Sequence, residues 1–114
     1  MKVLVIDDEA DVRYVVQASL THIGGMTVVM ASSGTEGIAR AKSEQPDVIL
    51  LDMMMPVMDG EATLRALRED AETARIPVVF LTATKVENRG AKGVLSKPFD
   101  PLTLPNELRA LLDE

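Results

Sequence analysis

At four places in this 114-residue chain an apolar run leads into a polar group. Val3–Ile6 run into Asp7, Asp8 and Glu9, and Val48–Leu51 end in Asp52. Val78–Leu81 end in Thr82, and Gly93–Leu95 lead through Ser96 to Lys97. Carboxylates brought close together repel one another unless a cation neutralises them. Hard carboxylate and carbonyl oxygens select Mg²⁺, which takes few protein ligands and keeps waters for a phosphate. A hydroxyl at Thr82 and an ammonium at Lys97 suit the oxygens of a phosphoryl group. The chain has no cysteine and a single histidine, His22, so the obvious nucleophile is a carboxylate. An aspartate nucleophile forms an acyl phosphate. The residues alone point to Mg²⁺-assisted phosphoryl transfer onto an aspartate.

Such a site needs elements that bring these residues to one place. Residues 3–6, 27–31, 48–51, 78–82 and 93–95 read as strands, most of them apolar throughout. All-apolar strands suit a parallel sheet covered on both faces. Between them, Val12, Val15, Val16, Leu20 and Ile23 form one apolar stripe at helical spacing, stopped by Gly24-Gly25. A second helix starts at 34, weakened by Gly37 and ended before Pro46. A third over 60–74 sets Ala62, Leu64, Leu67 and Ala71 on one side, and a final helix carries Leu104, Leu108, Leu111 and Leu112, with Thr103 as its N-cap. Alternating strands and helices mean βαβ units with right-handed crossovers. In an open sheet of this kind, ligands bind at the carboxyl ends of the strands. Asp7, Asp8, Asp52, Thr82 and Lys97 therefore gather in one crevice at the rim of the core.

Composition narrows the field. A chain of this length is expected to form one domain, residues 1–114. The net charge of −6 argues against nucleic acid and against anionic membrane surfaces as partners. The lack of cysteine excludes disulfides and thiolate metal sites. The first apolar run is too short for a signal peptide or a membrane span, so a cytoplasmic location is expected. Taken singly, each residue has an ordinary reading: Asp59-Gly60 a turn that starts a helix, Met53–Met55 loop packing, His22 a helix end.

In order along the chain, "VLVIDDE", "LLDMMMPVMDG", "VVFLTA" and "VLSKPFDP" resemble the receiver domain of two-component response regulators. The resemblance implies a flavodoxin-like, doubly wound five-stranded parallel sheet in the order 2-1-3-4-5. It implies that Asp52 is the phosphoacceptor, served by a sensor histidine kinase or a phosphotransfer protein. Asp8 would bind Mg²⁺ directly, Asp7 would assist, and Met54 would lend its backbone carbonyl beside the Asp52 carboxylate. Thr82 and Lys97 would contact the phosphoryl oxygens, and the Lys97–Pro98 peptide would be cis. Met54 and Thr84 flank the path of a hydrolytic water, and Met54 offers it no hydrogen bond, so a phosphoryl lifetime of minutes or longer is expected. Such a protein catalyses only its own phosphorylation and dephosphorylation. A stand-alone receiver signals through an output protein, with a second copy of the chain as a candidate partner.

The chain departs from the family in two places. Val94 stands where many receivers carry an aromatic switch residue three positions before the lysine. The segment 83–92 is also too short for a full crossover helix, so the family's fourth helix is expected to be largely missing. That loss predicts a sheet face near the last two strands that loses its usual cover, to be met by a partner, a second copy or repacking by a neighbouring segment, and a signal read through ordering of 83–92. An alternative reading follows, a non-switching pseudo-receiver that serves as an interaction module.

Overall fold

β-Branched and aliphatic runs with no polar residue can be buried only where both faces of a sheet are covered. The computed structural model, which describes residues 1–84, 87 and 90–113, has this arrangement. Five strands, β1 (Lys2–Ile6), β2 (Thr27–Ala31), β3 (Val48–Leu51), β4 (Val78–Thr82) and β5 (Gly93–Ser96), form one sheet. Its order is β2-β1-β3-β4-β5 and every pairing is parallel. The helices are α1 (Ala10–Ala18), α2 (Gly34–Glu44), α3 (Gly60–Glu69) and α4 (Leu104–Leu112). A π-helical turn, Ser19–Ile23, continues α1, and His22 lies in it.

The alternation of side chains along each strand divides the core into two layers. Leu4, Ile6, Ile49, Leu51, Val78 and Phe80 pack on one face, with Leu64 and Leu67 of α3 and Ala41 of α2. Val3, Val5, Leu50, Val79 and Leu81 pack on the other, with Val16 and Leu20 below them and Leu104 and Leu108 of α4. The tail helix begins as its sequence predicts, with Pro105 inside the first turn. Thr103 occupies the N-cap position but caps no backbone N–H. Its hydroxyl instead donates to Glu107 Oε1 at 2.7 Å. Asp59 fills the corresponding role for α3, accepting from Ala62 N at 2.8 Å.

Between β4 and β5 the described residues hold no helix, consistent with the short crossover. The expected ordering of 83–92 falls in part on Lys85, Val86, Asn88 and Arg89, which lie outside the described residues. Among the described residues the strands of this face are largely covered, the repacking outcome rather than an open face. Val78 and Phe80 are fully buried, and Val94 is half-buried. Met53 and Met55 of the β3–α3 loop are buried in the same cluster as Val78 and Phe80, with Ala91 and Val94 packed against it. Unbranched thioether side chains fill an irregular gap that a helix would otherwise cover. Arg68 helps close the region by donating to the carbonyls of Ala74, Ile76 and Gly90 at 3.2, 2.8 and 3.3 Å.

Candidate functional site

Parallel pairing with matched registers brings the strand ends level. Ile6 pairs with Ala31 and Leu51, Leu51 with Phe80, and Thr82 with Ser96. The residues following β1 and β3, and those ending β4 and β5, therefore meet at one rim. Asp7 and Asp52 are both almost fully buried, at 1% and 3% exposure, while Asp8 and Glu9 are exposed. Carboxylate oxygens of Asp7, Asp8, Glu9 and Asp52 all lie within 4.8 Å of one another. Sequence reasoning placed Asp7, Asp8 and Asp52 here. It did not give Glu9 a role, although the "DDE" run carried the signal.

Lys97 offsets this concentration of negative charge. Its Nζ lies 2.7 Å from Asp7 Oδ2 and 3.6 Å from both Asp52 Oδ2 and Glu9 Oε1. Burial works against the ammonium, but the hydrogen bond and charge of Asp7, aided by Asp52 and Glu9, outweigh it and hold the lysine pKa above its ordinary value. Desolvation acts the other way on Asp52 and pushes its carboxyl up to about 6. The Met54 N–H, donating to Asp52 Oδ1 at 3.1 Å, lowers it, Asp7 raises it again, and Lys97 restrains it. An acid in this position is mostly ionised at pH 7 yet poorly solvated, which suits a nucleophile.

The scaffold holds these groups closely. Asp52 N donates to Ile6 O at 2.9 Å and Lys97 N to Thr82 O at 2.8 Å, so neighbouring strands carry the site. The Lys97–Pro98 peptide is cis, as the resemblance implied. Thr82, 1% exposed, lies at the end of β4. Its Oγ1 is 3.1 Å from Thr84 Oγ1 and accepts from Thr84 N at 3.2 Å. Met54 projects its side chain into solvent at 63% exposure. Val57, farther along the loop, takes a left-handed φ of 68° that a β-branched residue seldom adopts.

Gly60 closes the loop against the phosphoacceptor candidate. A Cβ there would sit 2.5 Å from Asp52 O and 2.6 Å from Met53 Cα, both backbone atoms that cannot give way cheaply. Gly60→Ala is therefore expected to destabilise the fold by about 1–3 kcal/mol, read by chemical denaturation. A change below about 0.5 kcal/mol would show that the loop can move aside.

The donor set fits a small hard cation: carboxylate oxygens from two neighbouring strand ends, with no sulfur or imidazole among them. No described helix is long and apolar enough to cross a membrane.

Comparison with known proteins agrees with this geometry. The family described as "Response regulator receiver domain" matches residues 3–109. The protein PilH of Pseudomonas aeruginosa is 36% identical, the match covering 97% of this chain and 97% of that one. The response regulator Rre1 of Synechocystis is 40% identical over 98% of this chain and 52% of its own length. A probable transcriptional regulator, ycf27, of Guillardia theta is 39% identical over 97% of this chain and 45% of its own. The chain thus spans about half the length of some relatives and nearly all of another. The matches to PilH and ycf27 run over 118 aligned positions, more than the 114 residues here, so each relative holds residues with no counterpart in this chain. The crystal structure of the chemotaxis protein CheY4 of Vibrio cholerae superposes with a TM-score of 0.88 at 34% identity, covering 96% of this chain and 97% of that one.

Proposed function

Because this chain belongs to the response regulator receiver family, we propose that it is a phosphoacceptor whose Asp52 takes a phosphoryl group from a histidine kinase or a phosphotransfer protein. The observation that carries this reading is the buried Asp52 carboxylate in one cluster with Asp7, Asp8 and Glu9, its Oδ2 3.6 Å from Lys97 Nζ. An ionised Asp52 oxygen attacks phosphorus, the P–N bond to the donor imidazole breaks, and an acyl phosphate remains on Asp52. Asp8, with Asp7, Asp52 and the Met54 carbonyl, would hold Mg²⁺, which supplies charge neutralisation for the carboxylates and the phosphoryl oxygens. Lys97 turns part of its charge from Asp7 to a phosphoryl oxygen. Thr82 reorients its hydroxyl from Thr84 toward another. That exchange carries the modification into the segment after β4.

The turnover is confined to the chain's own phosphorylation and dephosphorylation. Output passes through protein contacts, without an aromatic ring at position 94. A donor has a surface to cover beside the site: a hollow of about 270 Å³ lined by Val12, Val15, Pro98 and Phe99, with Asp11 and Lys97 at its edge. Tyr14, 71% exposed on α1, extends that apolar surface.

Incubation with acetyl phosphate and Mg²⁺, followed by intact-mass measurement, tests the reading. The expected gain is one phosphoryl group with Mg²⁺ and none in EDTA. No gain with Mg²⁺ would overturn it. Met54 and Thr84 set the lifetime of the product, which is expected to be minutes or longer; decay within seconds would remove that role from them.

A further inference from the structure

We infer that Arg13 is a positioning residue for the cation site, holding the Asp7–Glu9 turn in the geometry that presents its carboxylates. This inference rests on the Mg²⁺ reading of the site.

Arg13 lies one turn into α1, half-buried, and flanks the buried face that carries Val16. Its Nη1 donates to the main-chain carbonyl of Asp7 at 2.6 Å. Its own backbone N–H donates to Glu9 O at 3.1 Å. One residue thus grips both ends of the three-residue acidic turn. A bond to a main-chain carbonyl fixes more than that oxygen. The peptide joining Asp7 to Asp8 is planar, so holding the Asp7 carbonyl toward Arg13 sends the Asp8 N–H the opposite way and sets the direction in which Asp8 leaves the strand. Within the turn, Asp7 Oδ1 accepts from Glu9 N at 2.8 Å. Asp7 N donates to Ala31 O at 3.1 Å and Asp7 Oδ2 accepts from Lys97. The Arg13 bond is the one that restrains the carbonyl leading into the exposed Asp8.

Glu36 on α2 is held below its ordinary pKa chiefly by the Ser32 N–H, and the charges of Arg40 and Arg13 act in the same direction. An arginine suits this place because a planar, rigid fork loses little freedom for each bond it forms.

Charge and positioning predict opposite signs, so a titration separates them. Removing a cation beside an acidic cluster should, by electrostatics alone, tighten Mg²⁺ binding. Loosening the turn should weaken it, and groups that orient metal ligands are worth about tenfold or more in affinity. Arg109 supplies a matched control: its Nη2 donates to the Gly24 carbonyl just before β2, at the far end of the sheet from the site. Arg13→Met and Arg109→Met remove the same charge and the same kind of bond.

The experiment is a calorimetric Mg²⁺ titration of the full chain and both variants, with Tm measured in EDTA. Arg13→Met is expected to weaken Mg²⁺ binding by about tenfold, with Arg109→Met staying within about twofold of the parent. Unchanged or tighter binding in Arg13→Met overturns the inference, as does equal weakening in both variants, which would mean general loosening of the fold. If Arg13→Met does not fold, Arg13→Lys is read instead: it keeps the charge on a single point donor, and parental affinity there overturns the inference. Failure of the unaltered chain to bind Mg²⁺ counts against the metal reading instead.

Discussion

Replacing Asp52 by asparagine is expected to abolish phosphorylation and, in metal-free buffer at pH 7, to make the fold more stable by about 1–3 kcal/mol. The sign follows from burial. Desolvation raises the Asp52 carboxyl from 3.8 to about 6, so the folded protein binds a proton more tightly than the unfolded chain does. That protonated form contributes stability fully below the unfolded value, and the contribution is lost as pH rises through about 6. At pH 7 the folded protein carries a poorly solvated carboxylate, with Asp7 adding to the repulsion and Lys97 only partly compensating. Asparagine removes that charge at nearly constant volume. The gain should shrink toward zero as the pH is lowered to about 4, and Mg²⁺ should reduce it at pH 7 by stabilising the parent alone. Denaturation curves of the two proteins across this range measure it. A variant less stable than the parent at pH 7 without metal would contradict the electrostatic picture of the site.

Lys97→Met should have a large effect of the opposite sign. Its Nζ lies 2.7 Å from Asp7, and Asp7 is 1% exposed. Removing one partner of such a pair leaves a buried charge uncompensated, at a cost of about 2–4 kcal/mol. Asp52 also loses the cation that restrains its pKa, so its carboxyl should rise further. The destabilisation is therefore expected to be greatest at neutral pH in EDTA, and smaller near pH 5, where Asp52 takes up a proton. Saturating Mg²⁺ should recover much of it, because the ion replaces the missing cation and binds the folded state. Equal destabilisation at both pH values and with or without Mg²⁺ would mean that Lys97 contributes packing rather than charge.

The strands could be read from the sequence because runs such as Val48–Leu51 have no polar residue to place in water. Their carboxyl ends then identified Asp7, Asp8, Asp52, Thr82 and Lys97 as neighbours before any coordinates. The cover over β4 and β5 could not be read this way. A short crossover implied lost cover, but Met53 and Met55 are buried in one cluster with Phe80, and flexible side chains leave no periodicity to read. Thr103 stands at the N-cap position its sequence context indicates, but its hydroxyl bonds Glu107 one turn later rather than a backbone N–H. Arg13 has no sequence cue, because a helix arginine reads as a solvated cation, whereas in the fold it turns back onto the Asp7 carbonyl. The left-handed backbone at Val57 had no sequence cue, since β-branched residues disfavour it.

The most direct test is to phosphorylate the full chain with acetyl phosphate and Mg²⁺, digest it, and locate the added group by peptide mass. The account predicts a single phosphoryl group on the peptide that contains Asp52 and none in Asp52→Asn. A group found on His22, on Asp7 or Asp8, or still present in Asp52→Asn would contradict it.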